Sequence, residues 1–366
     1  MVPAVERLLL GPGPSPVAPR VQRAMSAPIL SHLDPALMSI LDRVRLQLRD
    51  AFGGADDAFA CAVSGTGTAG MEAAVANVTR SGRRATVVVN GYFGDRLSQM
   101  FGRYGATVSR VEREWGRAAD PDALDRALRA RGADVVAMVH AETSTGVLNP
   151  VAELCAVAQR HGALTVVDAV TSLGAHAVAT ASWGCDVCYS CTQKGLGAPS
   201  GLAPIVFSRR AQDASATSGA AATFYFDLQL LKNYWIDRKY HHTISAPLIY
   251  ALSESLDVVS EEGFEPRWRR HRGNHLRFAR GLGELGLGLL PPDEERLWSL
   301  NAVVVPEGVD EARVRQRFLD ERSIEIGAGL GPLAGRIWRV GLMGSGSTAD
   351  NVDRLLDAYR SVLRPA

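Results

Sequence analysis

Long apolar runs are missing from this 366-residue chain, and so is any excess of one charge. No stretch reaches the ~18 apolar residues of a spanning helix. The amino terminus lacks a basic region followed by an apolar core and a small-residue cleavage site, so a cytoplasmic protein with no membrane partner is expected. Forty basic residues face thirty-nine acidic ones, a formal net charge of +1, with no block of like charges. Nothing in that pattern calls for nucleic acid. Cysteine is scarce: five residues, an odd number, three of them close together at 185, 188 and 191. That is not the spaced framework of a disulfide-built domain, and free thiols are expected. What is present, 46% hydrophobic and 22% charged residues, describes a globular chain. Its length suits about two domains with substantial cores.

The organisation follows from punctuation and period. Gly11-Pro-Gly-Pro14 and further prolines at 16, 19 and 28 predict an extended amino-terminal arm over residues 1–30, with neither helix nor central strand. From Pro35, the residues Leu37, Ile40, Leu41, Val44, Leu48 and Phe52 share one helical face, and Gly53-Gly54 stops it. Between about residues 60 and 210, short apolar strands alternate with amphipathic helices. The strands are expected at 85–89, 106–108, 135–139, 187–190 and 205–207, with another ending at Asp168. Such alternation predicts an α/β fold with a mostly parallel sheet between helices. A connecting helix from Pro247 then leads into a smaller α+β domain, giving a large domain over 31–255 and a small one over 256–366.

In that architecture ligands collect at the carboxyl ends of strands, where Ser64, Ser144, Asp168 and Lys194 all fall. Lys194 follows a short strand and precedes Gly195 and Gly197, a place suited to a Schiff-base lysine. Asp168 closes the apolar run Leu164-Thr-Val-Val-Asp168, where a carboxylate is costly unless paired. Ser64-Gly-Thr-Gly-Thr68 opens onto a helix from Met71, and the amides of a helix start with hydroxyls beside them form an anion cradle. A lysine for an aldehyde, an acid for a ring nitrogen and donors for a phosphate together point to pyridoxal 5'-phosphate.

Other chemistry fits less well. Glycines 65, 67 and 70 also match the dinucleotide pattern, but the next strand ends in Asn90 where an acid on the ribose is wanted. Cys185, Cys188 and Cys191 are three apart, which on a strand sends successive side chains to opposite faces. His140-Ala-Glu142 with Cys185-x-x-Cys188 is near the zinc deaminase signature, but Gly184 stands where proline belongs and the cysteines lie on a strand. His241 and His242 are adjacent, without the spacing of a helical zinc pair. No metal site is expected.

The order of motifs resembles the class V aminotransferases of fold type I, most closely the alanine–glyoxylate and serine–pyruvate group. Eight blocks carry it: Leu10-Gly-Pro-Gly-Pro-Ser15, Ser64-Gly-Thr-Gly-Thr68 with Glu72-Ala-Ala, Asn90-Gly-Tyr-Phe-Gly-Asp-Arg96, Glu142-Thr-Ser-Thr-Gly-Val147, Val167-Asp-Ala-Val-Thr-Ser-Leu-Gly174, Gln193-Lys194, Tyr240-His-His-Thr-Ile244 and Arg339-Val-Gly-Leu-Met-Gly344. The resemblance implies that Lys194 carries the cofactor and moves the substrate's α-proton, and that Asp168 pairs with the ring nitrogen. It places Ser144 near the phenolic oxygen, Phe93 on one ring face and Val170 on the other. Thr66, Gly67, Thr68 and Gln193 would hold the phosphate. Relatives often carry tryptophan where this chain has Phe93 and histidine where it has Thr68, and a threonine hydroxyl can also donate. Tyr240 and Thr243 would reach the cofactor phosphate of the other subunit in a homodimer. Arg339 would grip the substrate carboxylate, with Gly13 leaving room beside it. The implied reaction is transamination from alanine or serine to glyoxylate or pyruvate. Alternatives on this scaffold are transaminases of ureidoglycine, 2-aminoethylphosphonate or a biosynthetic amine, and a lyase or desulfurase. A silent binding protein would have little use for Lys194, Asp168 and Arg339 together.

Overall fold

The computed structural model describes residues 5–363. Its centre is a seven-stranded sheet in the order Phe59–Ser64, Leu202–Phe207, Val187–Tyr189, Leu164–Asp168, Val135–Val139, Arg84–Val89 and Thr107–Glu112. Leu202–Phe207 pairs antiparallel with both its neighbours, and the other pairings are parallel. The strands Val135–Val139 and Leu164–Asp168 are buried at every residue, as sheets covered on both faces require. This is the mostly parallel α/β arrangement expected.

The helices start where local chemistry dictates. Asp34 caps Pro35–Ala51 by accepting the Ala36 N–H at 2.8 Å, and Asp120 caps Pro121–Arg131 in the same way from Asp122. Proline follows at the first helical position in both, where its missing N–H costs nothing. Helix Pro35–Ala51 turns Leu37, Leu41, Val44 and Leu48 into the core against the sheet. Helix Gly67–Val78 begins four residues ahead of the Met71 expected from its apolar pattern.

The amino-terminal arm departs from expectation. It contains a six-residue helix, Pro19–Ala24, because Pro19 occupies the first helical position, where it is tolerated. Ahead of it, Leu8–Leu9 pairs in parallel with Ile324–Glu325. Leu10 is wholly buried in a second core with Phe278, Phe318, Trp338 and Tyr359. That core lies under the antiparallel strands Leu300–Val304, Ile337–Gly341 and Gly327–Ala328. Helix Ala246–Glu262 keeps Leu252, Leu256 and Val259 in the first core, and helix Phe264–Glu284 follows almost at once. Among the described residues no helix is long and apolar enough to cross a membrane.

Candidate active site

Asp168 is the last residue of its strand and is almost fully buried. One carboxylate oxygen accepts the Val170 N–H at 2.8 Å, and the other accepts the Tyr189 hydroxyl at 2.8 Å. Tyr189 is its register partner on the next strand. Burial pushes the Asp168 pKa up to about 6, against the two hydrogen bonds that favour the charged form. A cationic partner at this carboxylate would restore its charge.

Lys194 lies in the loop after Val187–Tyr189. Burial lowers its amine below the ordinary lysine range, and the Arg339 charge adds to that. Its Nζ donates to the Pro12 carbonyl. Gly13 has φ +111°, and a Cβ there would stand 2.6 Å from the same nitrogen. Only glycine permits so close an approach of the arm. Ser15 fastens the arm further, its N–H on the Gln193 carbonyl at 2.9 Å and its hydroxyl on the Lys194 carbonyl at 2.8 Å.

The start of helix Gly67–Val78 faces this loop. Thr66 is its cap residue but makes no side-chain cap, which leaves the first amides unclaimed by side chains. A Cβ on Gly67 would meet Val170 Cγ2 at 3.0 Å and Cys191 Cβ at 3.4 Å, so the cradle closes on the residues flanking Asp168 and Lys194. Ser64 Oγ and Gln193 Oε1 are buried without a hydrogen-bond partner. Thr66 and Thr68 are exposed, and the Thr68 hydroxyl accepts from Arg96 at 3.3 Å.

Glu142 organises the next side. It is wholly buried, with its pKa raised by burial and held back by the Ser144 hydroxyl and nearby amides. Its carboxylate accepts from Ser144 Oγ at 2.5 Å and from the Phe93 and Gly94 amides at the start of helix Tyr92–Arg103. A carboxylate is at home beside a helix amino terminus. Ser144 Oγ also accepts the Tyr92 N–H at 2.9 Å, so its hydroxyl is engaged within the chain. Phe93 is half-buried, with the Arg96 guanidinium 5.1 Å over its ring.

Arg339 is only 8% exposed, on the strand Ile337–Gly341. Its Nε donates to the Ala328 carbonyl at 2.6 Å, and no carboxylate of the described residues lies within salt-bridge distance. Burial lowers its pKa to about 10, opposed by the more distant charges of Glu142 and Glu325. A buried guanidinium without a counter-ion is a receptor for an anion.

Tyr240 and Thr243 are not joined to this cluster within one chain. Both are exposed, and Tyr240 packs edge-on against His32 at 5.2 Å. Tyr189, Glu142, Arg96 and Pro12 are members that the sequence analysis did not single out for a role. Glu142, Arg96 and Pro12 stood inside quoted motifs, but Pro12 meets Lys194 only through the path of the arm, and Tyr189 enters only through sheet register. A surface cavity of about 1000 Å³ beside helices Arg209–Thr217 and Leu228–Trp235 includes none of the cluster.

A cradle for an anion, a buried acid and a lysine at the ends of the seven-stranded sheet, faced by an arginine from the three-stranded antiparallel sheet, define a class of enzyme. Residues 21–355 match the family model described as aminotransferase class V, and the chain belongs to that family. It is a transaminase with the fold type I architecture, dependent on pyridoxal 5'-phosphate. Among its relatives, the (S)-ureidoglycine–glyoxylate transaminase of Bacillus subtilis is 36% identical across 98% of this chain and 90% of its own. The alanine–glyoxylate aminotransferase of Drosophila melanogaster is also 36% identical, across 98% of this chain and 92% of its own. The crystal structure of alanine–glyoxylate aminotransferase from Nostoc sp. superposes with a TM-score of 0.97 at 42% identity, covering 100% of this chain and 98% of that one.

Proposed function

We propose that this transaminase moves the amino group of a small amino acid, alanine or serine, to glyoxylate or pyruvate. The observation that carries the proposal is Arg339: a buried guanidinium with no carboxylate partner among the described residues, suited to a bidentate grip on an α-carboxylate. Gly13 and its neighbouring prolines add little side-chain bulk near Lys194, which favours small substrates. Relatives named for alanine–glyoxylate transfer support the same choice.

The residues fit pyridoxal phosphate. Buried Ser64 Oγ, a hydroxyl able to donate, lacks a partner three residues ahead of Gly67, and Thr66, Gly67, Thr68 and the side-chain amide NH2 of Gln193 would hold the phosphate at the helix start. Asp168 would pair with the ring nitrogen, with Phe93 and Val170 on the two ring faces and Ser144 near the phenolic oxygen. Bound there, the cofactor supplies an electron sink and carries the amino group between donor and acceptor. Lys194 Nζ, less basic than a solvated lysine, takes the proton from the donor's α-carbon and returns one to the acceptor's. Arg339 orients both substrates by their carboxylates, and the arm at Gly13 helps to exclude water.

The working unit is proposed to be a cytoplasmic homodimer in which Tyr240 and Thr243 complete the partner's phosphate site. Exposed apolar side chains at Phe224 (75%) and Tyr240 (64%), in contact with His241 and His32 respectively, support a covered surface. A desulfurase is disfavoured because all five cysteines are buried. The test is product analysis with alanine and glyoxylate: pyruvate and glycine in equal amounts, abolished in Lys194→Ala. Turnover of ureidoglycine with none of alanine or serine would move the assignment to that donor.

A further inference from the structure

Arg267 lies in the first turn of helix Phe264–Glu284, outside every motif considered above, and is 2% exposed. Its Nε donates to the Gly174 carbonyl at 2.9 Å and its Nη2 to the Gly195 carbonyl at 2.8 Å. Gly195 follows Lys194 directly. Gly174 ends the turn that begins at Asp168. The two loops touch backbone to backbone: a Cβ on Gly174 would stand 2.9 Å from the Gly195 carbonyl oxygen, and one on Gly195 only 2.3 Å from the Leu173 oxygen. Contact this close brings two carbonyl dipoles together with their negative ends toward one point, and the guanidinium is what neutralises them.

Arg267 does not act alone. Its Nη1 donates to Glu262 at 2.6 Å, and the same carboxylate takes Arg270 Nε at 2.6 Å. Arg270 Nη1 then holds the Gly344 and Ser347 carbonyls, in the turn after the strand that carries Arg339. The Lys194 and Leu196 carbonyls are also held, by Ser15 at 2.8 Å and Ser255 at 2.6 Å. The Lys194 loop is thus fixed carbonyl by carbonyl from outside the site; Ser190 ties its start to the Ala169 carbonyl at 3.0 Å, and Arg267 joins the far ends of the two loops, at Gly174 and Gly195.

We propose that Arg267 is a positioning residue for the transamination chemistry, clamping the Lys194 loop to the Asp168 loop, with Glu262 and Arg270 tying the clamp to the turn beyond Arg339. The proposal rests on the roles given to Lys194 and Asp168 above. A planar fork can serve two carbonyls and a carboxylate at once, and a lysine ammonium at the same depth cannot match that geometry. Small misplacement of a reacting amine has a large effect on rate and little on substrate affinity.

The test compares Arg267→Met, Arg267→Lys and Glu262→Gln with a surface control, Arg277→Met, in the full chain. Hydrogen exchange of cofactor-free protein is followed in peptides spanning 168–176 and 193–198, and kcat and KM for alanine are measured on the loaded enzyme. Arg267→Met is expected to exchange both loops at least tenfold faster while strand Val135–Val139 stays protected. It should lose at least tenfold in kcat with KM for alanine within twofold. Arg267→Lys should fall between it and wild type, and the control should match wild type. If Arg267→Met fails to fold, Arg267→Lys and Glu262→Gln must show the same exchange pattern at smaller amplitude. Unchanged loop exchange, or loss spread evenly over the sheet, would overturn the clamp. Because the exchange readout needs neither substrate nor cofactor, it stands even if alanine proves not to be the donor.

Discussion

The Tyr189 hydroxyl donates to Asp168 at 2.8 Å from the directly paired position on the adjacent strand. This bond favours the ionised carboxylate, whose pKa burial has raised to about 6. Tyr189→Phe keeps the packing and removes the donor, so the Asp168 pKa rises further. A hydrogen bond to a charged group contributes ~1.5–3 kcal/mol, so cofactor affinity should fall by about tenfold or more. The acidic limb of the kcat/KM profile should move to higher pH. Both are read by absorbance titration and by rate profiles.

The same carboxylate sets a pH dependence in the cofactor-free protein. Its folded pKa lies above the ordinary value of 3.8. Its contribution is therefore present in full below about pH 4 and is lost as pH rises through about 6. The stability difference between wild type and Asp168→Asn, from urea unfolding, should shrink over that window by ~3 kcal/mol in wild type's disfavour. A difference flat with pH would contradict the burial of Asp168 as its dominant influence.

Arg339→Met separates stability from function. The guanidinium is buried with no carboxylate of the described residues within salt-bridge distance, so an apolar side chain of similar length should leave the cofactor-free protein more stable by ~1–3 kcal/mol. The loss of two charge-assisted bonds should raise KM for both amino donor and keto acid by about a hundredfold. Thermal melts and steady-state kinetics check the two halves separately.

Gly13→Ala puts a methyl group 2.6 Å from Lys194 Nζ at a φ of +111°. Backbone strain of this kind costs ~1–3 kcal/mol. Either the arm or the Lys194 side chain must shift to relieve it, and both displace the reacting amine, so kcat should fall more than tenfold while the second core, anchored by Leu10, stays folded. Kinetics together with circular dichroism would show that split.

Much of this was legible in the sequence because it follows from period and strand ends. The run to Asp168, the loop at Lys194 and the glycine-rich turn before Met71 sit where alternation of strands and helices must leave them. The rest depends on register and chain path. Tyr189 meets Asp168 only because two parallel strands pair in one register. Pro12 meets Lys194 because Leu10 is drawn into a core built from residues more than 250 positions away. The helix Pro19–Ala24 escaped notice because a proline that forbids a helix interior is welcome at its first position. Arg267 carries no local signal at all, since its partners are backbone carbonyls of two distant loops.

The most direct measurement is a visible absorbance titration of the purified, pyridoxal phosphate-loaded protein, first with alanine or serine and then with glyoxylate. The account predicts that the amino acid bleaches the cofactor band and that glyoxylate restores it, with Lys194→Ala unable to complete the cycle. A wild-type band that neither alanine nor serine bleaches would contradict the assignment of a small amino donor, and a Lys194→Ala protein that cycles normally would contradict the site itself.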